Sequence, residues 1–155
     1  MLALDIPKNV EIFRQRDVRE TTTKTQVTKY WSVPGSAFQP TAEGELFDRA
    51  GIPSLAGNGG ALAAAWLPVT LPHGAVVTAV KVWGSDAADT WALYWTTLGT
   101  TGGASAMASN TMGNEDTTIT DPAINNQTRC YWIETSAIAN TESVDGAMIT
   151  YTILE

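Results

Sequence analysis

The second half of the chain is a succession of short segments rich in β-branched and aromatic residues, separated by turn residues. The clearest segment, AVVTAVKVWG at residues 75–84, is largely apolar on both of its alternating faces, which is typical of a central strand. Residues 90–98, TWALYWTTL, alternate in the same way, with Trp91, Leu93 and Trp95 on one face. Because no long amphipathic helix accompanies these segments, they predict an all-β fold.

The turn residues SDAAD at 85–89 predict that these two strands form a β-hairpin over residues 75–98. Residues 35–65 look irregular. Further strands are predicted over residues 28–34, 65–72, 104–109, 117–119, 128–136 and 146–153. In the last of these, Ala147, Ile149, Tyr151 and Ile153 are expected to point inward. About eight short strands at regular spacing predict a two-sheet antiparallel β-sandwich, of which the jelly roll is one form.

Charge is divided unequally along the chain. Residues 1–29 contain six of the nine basic residues and four acids, a net charge of +2, whereas residues 30–155 have a net charge of −9. This division predicts an N-terminal arm over residues 1–29 that precedes a sandwich domain over residues 30–155. In the arm, a short helix capped by Asn9 is predicted. The threonine-rich stretch at residues 21–28 suits an extended connector or an added edge strand. A terminus that docks on its own domain is the alternative.

Composition excludes several classes of protein. The net charge of −7 argues against direct nucleic-acid binding by the domain, because neutralising phosphates requires clustered Lys and Arg. A single cysteine rules out an intrachain disulfide, and no apolar run reaches the length of a membrane helix. The start of the chain lacks the pattern of a secretory signal peptide, so we expect synthesis in the host cytoplasm.

The sequence offers few residues for catalysis. His73, the only histidine, lies in a Pro-His-Gly turn, where a turn role is expected in place of a Ser-His-Asp triad. Cys130 lies in a predicted strand and is expected to be a small buried apolar residue, not a nucleophile. One histidine and one cysteine cannot supply an ordinary zinc site. We therefore predict no enzyme activity, no catalytic or metal-binding residues and no cofactor.

Acidic side chains are concentrated in two turn regions. Asp86 and Asp89 share one turn, and the second region contains Asn114, Glu115, Asp116 and Asp121. Such carboxylates usually accept hydrogen bonds from backbone N–H groups of the turn itself, which is the expectation here. The alternatives are a weak calcium site or a glycosidase pair, although the spacing does not match an EF-hand.

Tryptophan is abundant for a chain of this length, with six residues at positions 31, 66, 83, 91, 95 and 132. Four of them lie within predicted strands and alternate with aliphatic residues, which favours a place in the core for most. One or two at a subunit interface is the next interpretation, because tryptophan is enriched there. Exposed tryptophan faces would instead suit stacking against sugars.

Three segments together resemble a loose group of small β-sandwich domains. They are YWSVPGSAFQP at residues 30–40, LPHGAVVTAVKVWGSD at 71–86 and GAMITYTI at 146–153. The group occurs in bacterial surface proteins and in structural proteins of phages and viruses, and it often has Asp where this chain has His73. The resemblance implies a β-sandwich with a structural or adhesive role and supplies no functional residues.

These observations favour a non-enzymatic virion structural protein, such as a bacteriophage capsid, decoration or fibre-type subunit, that forms homo-oligomers by self-assembly. Its partners would be further copies of itself and other virion proteins, with no membrane involved. The arm would bind a neighbouring subunit, since its charge is opposite to that of the domain. The alternative is an extracellular or cell-surface module that recognises glycans through aromatic faces.

Overall fold

The computed structural model describes residues 23–41, 47–48, 53–57 and 63–155. This part of the chain forms two antiparallel β-sheets and one short 3₁₀ turn, Gly35–Ala37. The strands are β1 (Gln26–Pro34), β2 (Gln39–Pro40), β3 (Phe47–Asp48), β4 (Leu55–Gly57), β5 (Ala63–Val69), β6 (Val76–Gly84), β7 (Thr90–Thr97), β8 (Ser105–Thr111), β9 (Glu115–Asp116), β10 (Arg129–Ile138) and β11 (Ser143–Leu154).

Sheet 1 is built around β11, the longest strand. Its order is β3-β4-β11-β6-β9, and β1 also pairs with β11. β1 runs antiparallel to β11 from Gln26 opposite Leu154 to Pro34 opposite Gly146. β4 pairs with the first two residues of β11, so β1 and β4 follow one another along the edge of β11 that faces away from β6.

Sheet 2 has the order β2-β5-β10-β7-β8 and is centred on β10. Ile133 of β10 lies opposite Leu67 of β5 and Leu93 of β7, and all three side chains are buried between the sheets. A bulge in β10 brings the hydroxyl of Thr135 to the backbone N–H of Ala65, from which it accepts a hydrogen bond of 3.0 Å. This bond satisfies a polar group inside the sandwich.

The strand order is that of a jelly roll. Eight strands form the roll: Sheet 1 contributes β4, β11, β6 and β9, and Sheet 2 contributes β5, β10, β7 and β8. Along the chain, most of these strands are followed by a strand of the other sheet. The first of these strands pairs with the last, which closes the fold. The predicted all-β, two-sheet antiparallel sandwich is therefore confirmed.

The predicted hairpin over residues 75–98 is wrong. Both strands form, but β6 pairs with β11 and β9 in Sheet 1, whereas β7 pairs with β10 and β8 in Sheet 2. Residues 85–89 form an arch that crosses between the sheets and not a tight turn within one of them. Each strand is central in its own sheet, so pairing with other partners buries its apolar face against the opposite layer.

The inward faces of the two sheets form one hydrophobic core. On β11 the predicted inward set is confirmed: Ala147, Ile149 and Tyr151 are buried, and Ile153 packs against the core. On β6, which was predicted to be apolar on both faces, Thr78 forms a bulge that shifts the alternation. The buried residues of β6 are therefore Val77, Ala79, Val80 and Val82.

β1 begins within the segment that we assigned to the arm. Residues 26–29 pair with residues 151–154 of β11, so the sandwich starts before the predicted boundary at residue 30. Lys29 forms an ion pair with Glu155, and this pairing raises the pKa of the lysine above its ordinary value. The possible helix after Asn9 lies outside the described residues.

The shorter segments differ from their predictions in detail. Residues 35–65 include β2, β3 and β4 in addition to the start of β5. Residues 117–119 lie outside the strands, and the neighbouring Glu115–Asp116 forms β9 instead. No helix among the described residues has the length and hydropathy that a membrane span requires.

Candidate functional site

Three aromatic side chains cluster on the outer surface of Sheet 2, on the side away from the core. Trp132 of β10 lies directly opposite Pro68 of β5 and Tyr94 of β7. Two residues further along, on the same face, Glu134 of β10 lies opposite Trp66 of β5. We call the surface formed by Trp66, Tyr94, Trp132 and Glu134 the aromatic face.

Alternation along β10 explains why these side chains point outward. Tyr131, Ile133 and Thr135 are buried, so Trp132 and Glu134 between them lie on the outer surface, where both are half-exposed. Because neighbouring strands in a sheet lie about 4.8 Å apart, outward side chains at paired positions come into contact.

Trp132 is the centre of the aromatic face. Its ring stacks on Tyr94, with ring centroids 5.6 Å apart and an angle of 26° between the ring planes. Its indole Nε1–H donates a hydrogen bond of 3.3 Å to the carboxylate of Glu134. These two contacts fix the orientation of the indole ring, so the ring presents a preformed apolar surface.

A groove of about 420 Å³ runs over β5 and β10 beside this tryptophan. Its lining is mainly apolar, with one carboxylate at its margin. The lining residues are Thr41, Trp66, Pro68, Cys130, Tyr131, Trp132 and Glu134. An apolar groove with a few polar groups is the usual form of a small-molecule site.

A second hollow, of about 540 Å³, lies over β7, β8 and β10 and shares Glu134 with the groove. It is lined more by hydroxyl and amide groups, including those of Ser109, Asn110 and Ser136. Glu134 therefore stands between an apolar groove and a polar hollow on one continuous surface. An elongated ligand that spans both would meet aromatic rings first and hydrogen-bonding groups next.

The structure places two predicted site residues at the surface. His73 is exposed in its turn, and its Nδ1 accepts a hydrogen bond of 3.2 Å from the backbone N–H of Asn126. Cys130 was expected to be buried, but it is exposed at the end of the groove, because it shares the outward orientation of Trp132. Its neighbours in that groove include no histidine that would activate the thiol.

The turn acids bind backbone groups as expected. The carboxylate of Asp116 accepts hydrogen bonds from the backbone N–H groups of Ser109 and Thr118, and Asp86 accepts one from Ala88. Asp121 forms an ion pair of 2.6 Å with Arg129. Within the described residues no three His, Cys, Asp or Glu side chains lie close enough together to hold a metal ion.

Asp89 is a turn acid whose acidity is altered by its surroundings. Burial raises the pKa of its carboxyl above the ordinary value, a hydrogen bond from Ser136 lowers it, and the nearby charge of Asp86 raises it further. One carboxylate oxygen accepts the bond from Ser136 Oγ at 3.2 Å, and the other is enclosed without a partner. Asp89 lies in the arch between the sheets and not in the groove.

The expectation that most tryptophans belong to the core is wrong. Only Trp91 is fully buried, and its Nε1–H donates to the carbonyl of Thr111 at 3.1 Å. Trp31 and Trp95 are partly buried against the core, whereas Trp83 lies on the outer surface of Sheet 1 with 37% of its area exposed. The remaining two, at positions 66 and 132, form the aromatic face.

The sequence raised sugar stacking on exposed tryptophans only as an alternative and assigned no residues to it, although one signal was present. Glu134 is two residues from Trp132 and therefore lies on the same face of the strand, and a charged side chain is rarely buried without a partner. The strand RCYWIETS therefore marks its tryptophan face as the outer one. Comparison of the chain with family models, with curated proteins and with solved structures finds no match.

Proposed function

We propose that this protein is a non-enzymatic glycan-binding β-sandwich, and that a sugar ring binds in the groove beside Trp132. The observation that carries this proposal is the aromatic face, where Trp66, Trp132 and Glu134 line one groove. Aromatic rings supply flat apolar surfaces, and the carboxylate supplies acceptors for hydroxyl groups. Sugars need both, because a pyranose ring has an apolar C–H face and a rim of hydroxyl groups.

The groove is suited to binding without large rearrangement. Trp132 is held by the stack on Tyr94 and by its hydrogen bond to Glu134, so little side-chain entropy is lost when a ligand stacks on it. The second oxygen of the same carboxylate is then available to a sugar hydroxyl. The hydroxyl and amide groups of the adjacent hollow provide further partners for a second sugar unit.

Charge favours neutral or basic sugars as the ligand. The protein has a net charge of −7, and among the described residues that line the groove Glu134 is the only ionised group. An acidic polysaccharide would be repelled by this field, whereas a neutral hexose or an amino sugar would not.

The direct test is binding of the labelled protein to an array of neutral, amino and acidic glycans, followed by calorimetry with the best oligosaccharide. We expect a neutral or amino-sugar ligand to bind wild-type protein. Trp132→Ala should weaken binding by about fivefold or more, if loss of the ring costs about 1–3 kcal/mol, as is typical of rings stacked on nucleobases. Trp83→Ala is the matched control, because Trp83 is exposed on the opposite sheet. Equal binding by the two variants would contradict the proposal.

The second candidate is a structural subunit of a virion or similar assembly, as the resemblance implies. The observation that favours it is β1, a long strand at the margin of Sheet 1 that pairs with β11 and with no other strand among the described residues. Light scattering after size-exclusion chromatography, with negative-stain microscopy, tests this candidate. Particles of regular size support it, and a monomer at all concentrations contradicts it.

A further inference from the structure

The two sides of the sandwich differ in how their strand edges are covered. On one side, residues 112–124 run along the margins of β6 and β8. The backbone N–H of Gly113 donates to the carbonyl of Val82, and that of Thr120 donates to the carbonyl of Met107, each at 2.8 Å. The carboxylate of Asp116 accepts from the N–H of Ser109 at 2.9 Å. These three bonds satisfy backbone groups at the margins of both sheets on this side.

The other side has a long edge that no described residue covers. Thr25 and Glu155 exchange two backbone hydrogen bonds, of 2.8 and 3.0 Å, which makes them a hydrogen-bonded pair of the ladder. Such pairs alternate along antiparallel strands, so Gln26, Thr28, Tyr30 and Ser32 turn their N–H and C=O groups away from β11. We call these four residues the open edge.

The open edge lacks the usual devices that prevent strands from associating. Pro34 lies only at the end of β1, and the single lysine of the strand, Lys29, is already paired with Glu155. Tyr30 has 68% of its area exposed in the middle of the edge, and Leu154 has 60% exposed near one end. An uncovered edge that exposes apolar side chains is a template for pairing with another strand.

We propose that the open edge pairs with the open edge of a second copy of this chain, antiparallel and about a two-fold axis at Tyr30. In this register Tyr30 faces the partner's Tyr30, and Thr28 faces the partner's Ser32. Each of these pairs exchanges two backbone hydrogen bonds, because all of these residues direct their polar groups outward. The contact is the same on both subunits, as a two-fold axis requires, and it extends Sheet 1 across the dimer.

Two observations select a second copy over the chain's own N-terminal residues. Residues 1–22 contain eight charged residues, five of them Asp, Glu or Lys, which are depleted in strands, whereas β1 is rich in β-branched and aromatic residues. In addition, residues 23–34 contain no acid, although the protein has a net charge of −7. The open edge is therefore a region where two negatively charged copies can approach with little repulsion.

The test is analytical ultracentrifugation of the full chain, as wild type and with Tyr30→Lys or Tyr30→Glu. In the proposed register, either variant places two like charges opposite each other at the axis, so the dimer should weaken by about tenfold or more. Mixing the two variants pairs opposite charges and should restore a dimer that contains one copy of each. Trp83→Lys is the matched control, because Trp83 is exposed on the same sheet away from the open edge.

Circular dichroism and thermal melting establish that each variant is folded, which is expected because Tyr30 is largely exposed. A wild-type monomer at about 100 µM, well above the Kd range of specific dimers, overturns the proposal. Equal dimerisation of wild type and both Tyr30 variants also overturns it. Failure of the mixed variants to associate contradicts the register at Tyr30. The result is independent of glycan binding, which takes place on Sheet 2.

Discussion

Val80 gives the most direct measure of how the sandwich is stabilised. It lies in the middle of β6, opposite Ile149, and both side chains have no exposed area. Val80→Ala removes two buried methyl groups, each worth about 0.8 kcal/mol, and leaves a small cavity. We therefore expect a loss of about 2 kcal/mol in the free energy of unfolding. For a chain of this length the melting temperature should fall by about 4–8 °C.

Differential scanning calorimetry measures this effect, with urea denaturation as a second measurement. The matched control is Thr78→Ala, two residues away at the bulge of the same strand, where the side chain is exposed. Its effect should stay within about 0.5 kcal/mol, as is usual for a surface substitution. If Thr78→Ala destabilises the protein more than Val80→Ala, the alternation assigned to β6 is wrong.

Three further predictions follow from other parts of the fold. The raised pKa of Asp89 means that the folded state binds this proton more tightly than the unfolded state does, so its contribution to stability is lost as the pH rises above about 4. Asp89→Asn removes this group and should make the fall in stability with pH smaller. Melting curves of both proteins from pH 3 to 7 measure the difference. Gly35→Ala should destabilise the protein by about 1–3 kcal/mol, because an added Cβ would lie 1.9 Å from the carbonyl oxygen of Val144; an unchanged melting temperature would refute the contact. Deleting residues 1–22 should leave the sandwich folded by circular dichroism, whereas deleting residues 1–29 should destabilise it by removing the start of β1.

Alternation identified most strands but not always the face that is buried. In β11 the inward residues Ala147, Ile149, Tyr151 and Ile153 share one parity and follow directly from the sequence, whereas Val144 is buried with the other parity beside a bulge. In β6 a bulge at Thr78 changes the parity, and no residue type in the sequence signals a bulge at that position. The sequence also did not determine which strands pair with each other. Both β6 and β7 have apolar faces that fit pairing in one hairpin as well as a connection between two sheets.

The prediction that most tryptophans lie in the core was wrong because an apolar residue that alternates with aliphatic residues suits either face of a strand. The charged neighbours two residues away were the better guide: Lys81 lies over the ring of Trp83 at 5.3 Å, and Glu134 accepts from Trp132. In these two strands a charged residue of the same parity marks the outward tryptophan, whereas in β1 Lys29 shares the parity of Trp31, which packs against the core. The role of that surface depends on rings from three strands, which only the folded sheet brings together.

The position of β1 changes how the net charge of +2 on residues 1–29 is interpreted. Residues 1–22 contain four basic and four acidic residues, so the excess positive charge of the predicted arm comes from Lys24 and Lys29. Lys29 belongs to the sandwich and is paired with Glu155. An arm that binds by opposite charge is therefore less favoured than the pairing of β1 edges that we propose.

The most direct test of glycan binding follows the six tryptophan indole N–H signals by NMR during titration with the best oligosaccharide from the array. Each indole reports on a separate place in the fold, so the titration locates the ligand. We expect the signals of Trp66 and Trp132 to shift together with one Kd, while that of Trp83 on the opposite sheet stays unchanged. Shifts confined to Trp83, or none at any tryptophan in the presence of bound sugar, would contradict the account.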